Sequence, residues 1–152
     1  MMQIVPCDCH TLDAWTALRR ELWPDTSVAD HVLEARAALE DPGQAMAFLA
    51  QDARGAPAGF AEAALRHDYV NGCATSPVAF LEGIYVRPAF RKQGVARLLI
   101  EAVEKWARDL GCAELASDVE LHNQISHILH LAAGFEETER VVYYRKPLGP
   151  RR

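Results

Sequence analysis

The sequence lacks a long apolar run and a recognisable targeting segment. No stretch approaches the roughly 18 consecutive apolar residues that a transmembrane helix needs. The first residues, "MMQIVPCDCHTLDAW", have neither the basic start nor the apolar centre of a signal peptide. We therefore expect a cytoplasmic protein that makes no contact with membranes.

Positive charge is scarce as well. The 152 residues contain 16 Lys and Arg against 21 Asp and Glu, which gives a formal net charge of −5. Nucleic-acid-binding domains usually carry the opposite excess, so we expect no nucleic acid partner and favour a cationic one.

Paired metal-ligand spacings are also missing. The four cysteines include no C-x-x-C pair, and the one close group, Cys7-x-Cys9-His10, has no matching second pair. A structural zinc site needs four ligands, so we expect no metal and interpret the cysteines as reduced thiols.

What the sequence does contain is a regular alternation of short elements, and its length fits a single domain over residues 1–152. Turn residues and apolar periodicity predict strands at residues 2–6, 45–51, 58–67, 80–88, 113–118 and 140–146. They predict helices at residues 11–22, 27–40 and 124–133, and another from residue 95 onwards. The order β-α-α-β-β-β-α-β-α-β predicts a mixed α/β domain with a largely antiparallel sheet flanked by helices.

One stretch carries the strongest functional signal: "FLEGIYVRPAFRKQGVARLLIEAVEKWA", residues 80 to 107. A strand with one carboxylate, Glu82, leads through a basic turn into a helix with one apolar face. Helix N-termini offer free N–H groups and partial positive charge, Gly94 permits close backbone approach, and Arg91 and Lys92 add charge. The residues alone are equally compatible with a phosphate ligand and with an ordinary helix start. The turn is neither a P-loop nor a G-x-G-x-x-G motif.

The turn "RKQGVA" resembles the R/Q-x-x-G-x-G/A signature of the GCN5-related N-acetyltransferase superfamily, in which it cradles the pyrophosphate of acetyl-CoA. Asn123, Ser126, His130 and Gly134-Phe135 are similar in spacing to the final motif of that family. The resemblance implies that Asn123 contacts the cofactor. His130 stands where many members have a tyrosine that reprotonates the departing thiolate. It either takes that role or is an ordinary packed or capping histidine.

Five further segments, in order along nearly the whole chain, resemble the aminoglycoside 6′-N-acetyltransferases. They are "LRRELWPD", "RHDYVNGC", "FLEGIYV", "ELASD" and "GFEETERVVYYRK". The resemblance implies an acetyl-CoA-dependent enzyme that modifies the 6′-amine of these antibiotics and confers resistance. It places the aminoglycoside site at Trp23, Tyr69, Glu82, Asp118 and Glu139. It places acetyl-CoA at Ile84, Tyr85, Val86, Arg91, Lys92, Gln93, Gly94, Val95 and Ala96.

Several of these side chains also have ordinary interpretations. Taken alone, Asp118 and Glu139 would be solvated loop acids and Trp23 a core residue. Tyr69, in a polar loop with little to pack against, suits stacking on a sugar face. Together the acids would form an anionic cleft for a polycationic ligand such as an aminoglycoside.

Glu82 either lies on the water-facing side of its strand or points into a pocket. Gly83 favours the pocket, because a glycine inside a strand often marks a bulge or the close approach of a ligand. In a pocket the carboxylate, directly or through a water, can take the proton of a substrate ammonium. A backbone N–H of the following strand residues can polarise the acetyl carbonyl. No serine–histidine or cysteine–histidine relay is evident, so we expect amines, and not hydroxyls, to be acetylated.

Two alternatives to this function stay open. One is an acetyltransferase for another amine, such as a polyamine or a protein N-terminus, which would have a less acidic groove. The other is a non-catalytic acyl-CoA-binding module, which would bind acetyl-CoA without releasing thiol. Relatives are often dimers, so the resemblance also allows a homodimer, although no interface is evident in the sequence.

Overall fold

The computed structural model describes residues 1–151 and contains the mixed fold that the sequence predicts. Its elements are β1 (Gln3–Pro6), α1 (Leu12–Leu22), α2 (Val28–Glu40), β2 (Ala45–Gln51), β3 (Pro57–Arg66), β4 (Val78–Val86), α3 (Val95–Asp109), β5 (Leu115–Ser117) and α4 (Gln124–Ala132). A short 3-10 turn, Pro88–Phe90, connects β4 to α3. Arg152, the last residue of the expected domain, lies outside the described residues.

The five strands form one sheet in the order β1-β2-β3-β4-β5. The pairs from β1 to β4 are antiparallel, whereas β5 runs parallel to β4. The β4–β5 pairing covers only Ala79–Leu81 against Leu115–Ser117, although β4 continues to Val86. The two strands therefore separate halfway along β4.

The core is divided between the two faces of the sheet. On one face, α3 buries Leu99, Val103 and Trp106 against alternate residues of β3 and β4. On the other face, α1 packs Trp15 and Leu18, and α2 packs Ala35, against β2 and β3. Because side chains alternate along a strand, the residues of β3 and β4 that face α1 and α2 are the ones available to a site there.

The predicted last strand is wrong for the isolated chain. Residues 140–146 form no helix or strand in the described structure, and Val142, Tyr143 and Tyr144 are exposed. The segment alternates as a strand does, but a strand exists only when its backbone groups pair with a neighbour. Within residues 1–151 no neighbouring strand pairs with it.

In the part of the chain that the structure describes, none of the helices has the length and apolar character needed to cross a membrane.

Candidate active site

The site begins at a β-bulge in β4. Glu62 of β3 pairs with Gly83, but the next residue, Ala63, pairs with Leu81, so Glu82 is an extra residue without a partner in the ladder. A bulge places two successive side chains on the same face of a sheet. Here it turns Glu82 toward the face covered by α1 and α2, and it confirms the expectation of a bulge at Gly83.

The packing of Trp23 also requires a glycine at position 83. A Cβ atom on Gly83 would lie 2.5 Å from Cζ2 of the Trp23 ring, which is too close for any other residue to be accommodated without a shift. The ring therefore lies directly on the β4 backbone beside Glu82. The close approach that the sequence suggested at this glycine is made by Trp23.

Glu82 and Trp23 line a common cavity of about 460 Å³. Its walls come from α1, α2, β2, β3 and β4, and its lining residues are Arg19, Trp23, Thr26, Glu34, Ala38, Ala45, Glu62, Ala63, Ala64 and Glu82. The structure thus supports the pocket interpretation of Glu82. A cavity of this size, with three carboxylates in its wall, suits a cationic small molecule.

Glu82 is not unpaired in the cavity. Arg66 donates from Nη2 to both of its carboxylate oxygens, at 3.0 and 3.2 Å. The side chains of both residues are partly open to solvent, with 45% and 38% of their surface exposed for Arg66 and Glu82. A pair with this exposure contributes little stability, so an incoming ammonium group can replace Arg66 at small cost.

A second Arg–Glu pair, Arg19–Glu62, forms the wall deeper in the cavity. Arg19 Nη1 donates to both oxygens of Glu62, at 2.5 Å for Oε2, and Arg19 Nη2 donates to Glu34. Burial raises the pKa of Glu62 from 4.5 to about 7, against the opposing effect of Arg19. The carboxylates of Glu34 and Glu82 nearby add to the increase.

Two residues of this wall, Arg19 and Glu62, and the partner of Glu82, Arg66, were not predicted from the sequence. A signal for two of them was present. Arg19 follows Trp15 by four residues on the apolar face of α1, and Glu62 is the only acid within the apolar run of β3. A charge on a buried face requires a partner, so these two residues were candidates for each other.

The open edge of β4 and the start of α3 provide the other side of the site. Beyond the short β5 pairing, the backbone of Ile84, Tyr85 and Val86 borders the gap between the two strands. This places the free polar groups of the β4 edge next to Glu82. An oxyanion or an amide-rich ligand can therefore bond to β4 there.

The basic turn has the backbone geometry of an anion-binding loop. Gly94 and Lys92 both have positive φ, at 79° and 62°, and Gly94 is the N-cap of α3. A glycine is favoured at position 94 because of its positive φ angle. No atom lies within 4 Å of a Cβ placed there, so the space beside the turn is open. The first N–H groups of α3, including those of Val95 and Ala96, point out of the helix end.

Arg91 and Gln93 brace this turn. Arg91 Nε donates to the Val86 carbonyl at 2.8 Å, and Gln93 Nε2 donates to the Ala89 carbonyl at 3.2 Å. Both side chains thereby fix the path from β4 to α3, and they leave the backbone N–H groups and Lys92 as the groups facing outwards.

His130 and Asn123 both have structural contacts in α4. Asn123 caps the helix by accepting a hydrogen bond from Ser126 N–H at 3.2 Å. His130 is 9% exposed, and its Nδ1 lies 2.7 Å from the Ser126 carbonyl. Because that carbonyl only accepts, Nδ1 carries the hydrogen, and Nε2 accepts from the Ser117 hydroxyl at 2.8 Å. This serine–histidine contact involves no residue that lines the cavity, so the expectation that the site holds no relay for a substrate hydroxyl stays a prediction.

The other predicted acceptor residues, Tyr69, Asp118 and Glu139, are not among the residues that line the cavity, and all three lie in loops. Asp118 directly follows Ser117, which pairs with Leu81, so it leaves the sheet beside Glu82. Tyr69 is 75% exposed in the loop between β3 and β4, and Glu139 is exposed in the segment after α4. Gly72 and Thr138 are in contact, which brings these two segments together.

None of the four cysteines is among the residues that line the cavity. Cys7 and Cys112 are buried, and burial raises the pKa of Cys7 to about 12 and that of Cys112 in the same direction. A thiol with a raised pKa is a poor nucleophile at neutral pH. Over residues 1–151 there is no group of three or more His, Cys, Asp and Glu side chains placed to hold a metal ion.

Comparison with known proteins identifies the family. Residues 11–135 match the profile of the acetyltransferase (GNAT) family. The chain belongs to the GNAT acetyltransferases. The resemblance noted in the turn and in the five segments is confirmed, and the fold is the GNAT fold.

Among GNAT proteins, the chain is similar to aminoglycoside-modifying enzymes over nearly its full length. An aminoglycoside N(6′)-acetyltransferase type 1 from Serratia marcescens is 56% identical over 146 residues, covering 96% of this chain and 99% of the relative. The aminoglycoside acetyltransferase AAC(6′)-Iy, solved in complex with the bisubstrate analogue CoA-S-monomethyl-acetylneamine, is 47% identical with a TM-score of 0.93. The match covers 97% of this chain and 99% of that one. The 6′-N-acetyltransferase AAC(6′)-Ih from Acinetobacter baumannii is 46% identical with a TM-score of 0.92, and the match covers 98% and 100% of the two chains.

Proposed function

We propose that this GNAT protein transfers the acetyl group of acetyl-CoA to the 6′-amine of aminoglycoside antibiotics and thereby confers resistance. The observation that carries this function is the bulged Glu82, which lies in an acidic cavity and adjoins the open edge of β4. The relatives named above act on the same class of antibiotic, and one of them binds an analogue that joins CoA to an aminoglycoside.

The residues around β4 and α3 fit acetyl-CoA as the co-substrate. The start of α3 offers N–H groups and a partial positive charge to the pyrophosphate, at Gly94, Val95 and Ala96. Lys92 adds a formal charge, while Arg91 and Gln93 hold the turn in shape. The β4 edge from Ile84 to Val86 holds the remainder of the cofactor and donates an N–H to the acetyl carbonyl. Asn123, at the start of α4, contacts the cofactor.

Glu82 acts as the base for the acceptor amine. An ammonium group enters the cavity, replaces Arg66 on the carboxylate and loses a proton to Glu82, directly or through a water. The neutral amine attacks the thioester carbon, so the new C–N bond forms, the C–S bond breaks, and the nitrogen releases one further proton to solvent as it becomes an amide. No covalent acetyl-enzyme is needed, because a neutral amine is already a sufficient nucleophile.

The departing thiolate can take a proton from His130 through Ser117 when both ring nitrogens of His130 carry hydrogen. Nε2 then gives its proton to the Ser117 oxygen while the Ser117 hydroxyl proton passes to the sulfur. Both ring nitrogens of His130 are occupied by protein groups, and the Ser117 hydroxyl is its neighbour at the β4–β5 separation. The same contact keeps His130 from acting as a base for a substrate hydroxyl. The serine–histidine pair is therefore compatible with an enzyme that acetylates only amines.

Aromatic and acidic side chains surround the aminoglycoside. Trp23 forms one wall of the cavity, and Asp118 leaves the sheet beside Glu82. Tyr69 and Glu139 lie on the two loops that Gly72 and Thr138 join. Fixed carboxylates at these positions attract the ammonium groups of an aminoglycoside, in agreement with the net charge of −5.

A thiol-release assay with acetyl-CoA and matched amines tests this function. We expect release with a 6′-amino aminoglycoside and essentially none with the corresponding 6′-hydroxyl compound. Equal turnover of the two compounds would contradict the amine-only chemistry. Preference for a polyamine or a peptide N-terminus would indicate another acceptor. Binding of acetyl-CoA without thiol release with any amine would indicate a non-catalytic module.

We also propose that the chain is one domain and that it acts in the cytoplasm, where acetyl-CoA is available. We further propose that it forms a homodimer. Exposed apolar side chains on α4, at Ile125 and Ile128, and the exposed residues 140–146 support a dimer. An alternating segment without a partner suits pairing with a second copy. Light scattering after size exclusion is expected to show a dimer for the parent and a monomer for Tyr144→Asp. A monomeric parent at micromolar concentration would contradict the proposal.

A further inference from the structure

Arg19 connects more groups of the cavity wall than any role described above requires. The residue is only 5% exposed. Its Nη1 donates to Glu62, its Nη2 to Glu34, and its Nε to Nδ1 of His31 at 3.2 Å. Its guanidinium carbon lies 4.9 Å from the centre of the Trp23 ring. The planar fork of an arginine fixes such partners relative to one another, which a lysine cannot do.

The contacts of Arg19 hold the backbone of Trp23 as well as its ring. Because Nδ1 of His31 accepts from Arg19, Nε2 carries the hydrogen and donates to the Trp23 carbonyl at 3.0 Å. The Trp23 N–H donates to the Arg19 carbonyl at 2.8 Å. Arg19 therefore fixes both peptide groups of Trp23, one directly and the other through His31.

The ring itself is confined on its other sides. It packs edge-on against Phe60, with 5.9 Å between ring centres, and it rests on Gly83. Only the side that faces the cavity is free for a ligand. The orientation of the ring also depends on the Arg19 guanidinium, whose carbon lies 4.9 Å from the ring centre.

We propose that Arg19 is a positioning residue for the acceptor substrate, holding the Trp23 ring and the Glu62 carboxylate in the cavity wall beside Glu82. This inference rests on the proposed function, since Trp23 and Glu82 are the residues assigned there to the aminoglycoside. It adds Glu62, held at both oxygens by Arg19, as part of the wall that shapes the cavity beside Glu82.

Arg19→Lys is the informative variant, because it keeps the charge and loses the fork. We expect the KM for a 6′-amino aminoglycoside to increase about tenfold, with kcat within about threefold of the parent. The KM for acetyl-CoA is expected to stay within about twofold, since the cofactor groups lie on β4 and α3. The matched control is Arg20→Lys, which changes the neighbouring, exposed residue of the same helix and is expected to change none of these constants.

A purely structural role of Arg19 would be to neutralise the buried Glu62. The double variant Arg19→Met with Glu62→Met removes both charges, and such apolar replacement of a buried pair often preserves the fold. We expect this variant to remain folded and to keep the high aminoglycoside KM. Recovery of the parental KM in the double variant would overturn the proposal. So would an unchanged aminoglycoside KM in Arg19→Lys, or an equal increase in the KM for acetyl-CoA.

A substrate-independent measurement separates this proposal from the proposed function. Near-UV circular dichroism reports the fixed environment of tryptophan rings. We expect Arg19→Lys to lose the same band that is lost in Trp23→Leu, while Arg20→Lys retains it. Retention of the band in Arg19→Lys would overturn the role of Arg19. A parent that releases no thiol with any aminoglycoside would instead contradict the proposed function and leave this measurement intact.

Discussion

Two arginine–glutamate pairs bring their carboxylates to the same cavity, but they differ in their access to water. The side chains of Arg19 and Glu62 are 6% and 10% exposed, whereas those of Arg66 and Glu82 are 45% and 38% exposed. The buried pair cannot be separated without leaving a charge in the protein interior, which is costly. The exposed pair can be separated at little cost. The same two residue types thus serve as a fixed wall in one place and as an exchangeable pair in the other.

The sheet produces this difference. Glu62 pairs with Gly83 in the β3–β4 ladder and is buried against Arg19 of α1. Glu82 is the bulged residue of β4, lies near the strand separation and keeps 38% of its side chain open to solvent through the cavity. Local backbone geometry therefore decides which carboxylate is free to exchange a proton with the substrate.

Glu82→Gln should give the largest effect, because it removes the base. We expect a decrease in kcat/KM of roughly 10²- to 10⁴-fold near pH 6–7, where the amine is mostly protonated, with partial recovery at higher pH. The unfolding free energy should change by less than about 1 kcal/mol, since the pair with Arg66 is partly exposed. A pH–rate profile and a thermal melt measure the two quantities. A loss of activity independent of pH would show that Glu82 positions the substrate and is not the base.

Glu62 should make the stability of the fold depend on pH. Its pKa is about 7 in the folded protein, against an ordinary value of 4.5, so the folded state favours the protonated acid. The stabilisation is complete below pH 4.5 and is lost as the pH increases toward 7, by up to about 3 kcal/mol. The charged groups that act on Glu62 are Arg19, Glu34 and Glu82.

Denaturant melts from about pH 4 to about pH 8 measure this dependence, and Glu62→Gln is expected to reduce it. Glu21→Gln is a control with the opposite sign, because hydrogen bonding to Arg87 lowers the pKa of Glu21. The stability due to Glu21 is present above pH 4.5 and is lost as the pH decreases. An increase in stability with pH that disappears in Glu62→Gln would show that Arg19 outweighs burial.

Gly83→Ala should disturb the contact between the Trp23 ring and the β4 backbone beside Glu82. The added Cβ would meet the Trp23 ring at 2.5 Å, and a rigid ring cannot yield without moving. We expect a destabilisation of about 1–3 kcal/mol together with a higher aminoglycoside KM. Gly43→Ala is the control, since its Cβ would have only an ordinary 3.6 Å contact. If Gly83→Ala is equally destabilising in a Trp23→Leu background, the clash is not with the ring.

Arg66→Gln should give the smallest effect. It removes the cation that competes with the substrate for Glu82, so the aminoglycoside KM is expected to decrease about two- to threefold at low salt. Stability should change by less than about 1 kcal/mol, as for other exposed pairs. Steady-state kinetics at two ionic strengths, with a melt for each protein, check both values. A higher KM would mean that Arg66 orients Glu82 and does not compete with the substrate.

Local sequence signals determined the order of the elements and the half of the site at the start of α3. Ser27 caps α2 by accepting from Asp30 N–H, and α1 ends just before Trp23-Pro24. The apolar stripe of α3 and the positive φ of Gly94 follow from residues close in sequence. Helix caps, turns and amphipathic periodicity depend on neighbours within a few positions, so the sequence carries them directly.

Tertiary structure decided the groups that depend on distant partners. Arg19 and Glu62 are 43 residues apart, and His31 is completely buried because Arg19 and the Trp23 carbonyl satisfy its nitrogens. Arg66 reaches Glu82 only through the register of β3 against β4. Residues 140–146 have the alternation of a strand but no partner in the described chain. Whether a charge is buried or a strand is paired depends on which surfaces meet, and a local pattern does not contain that information.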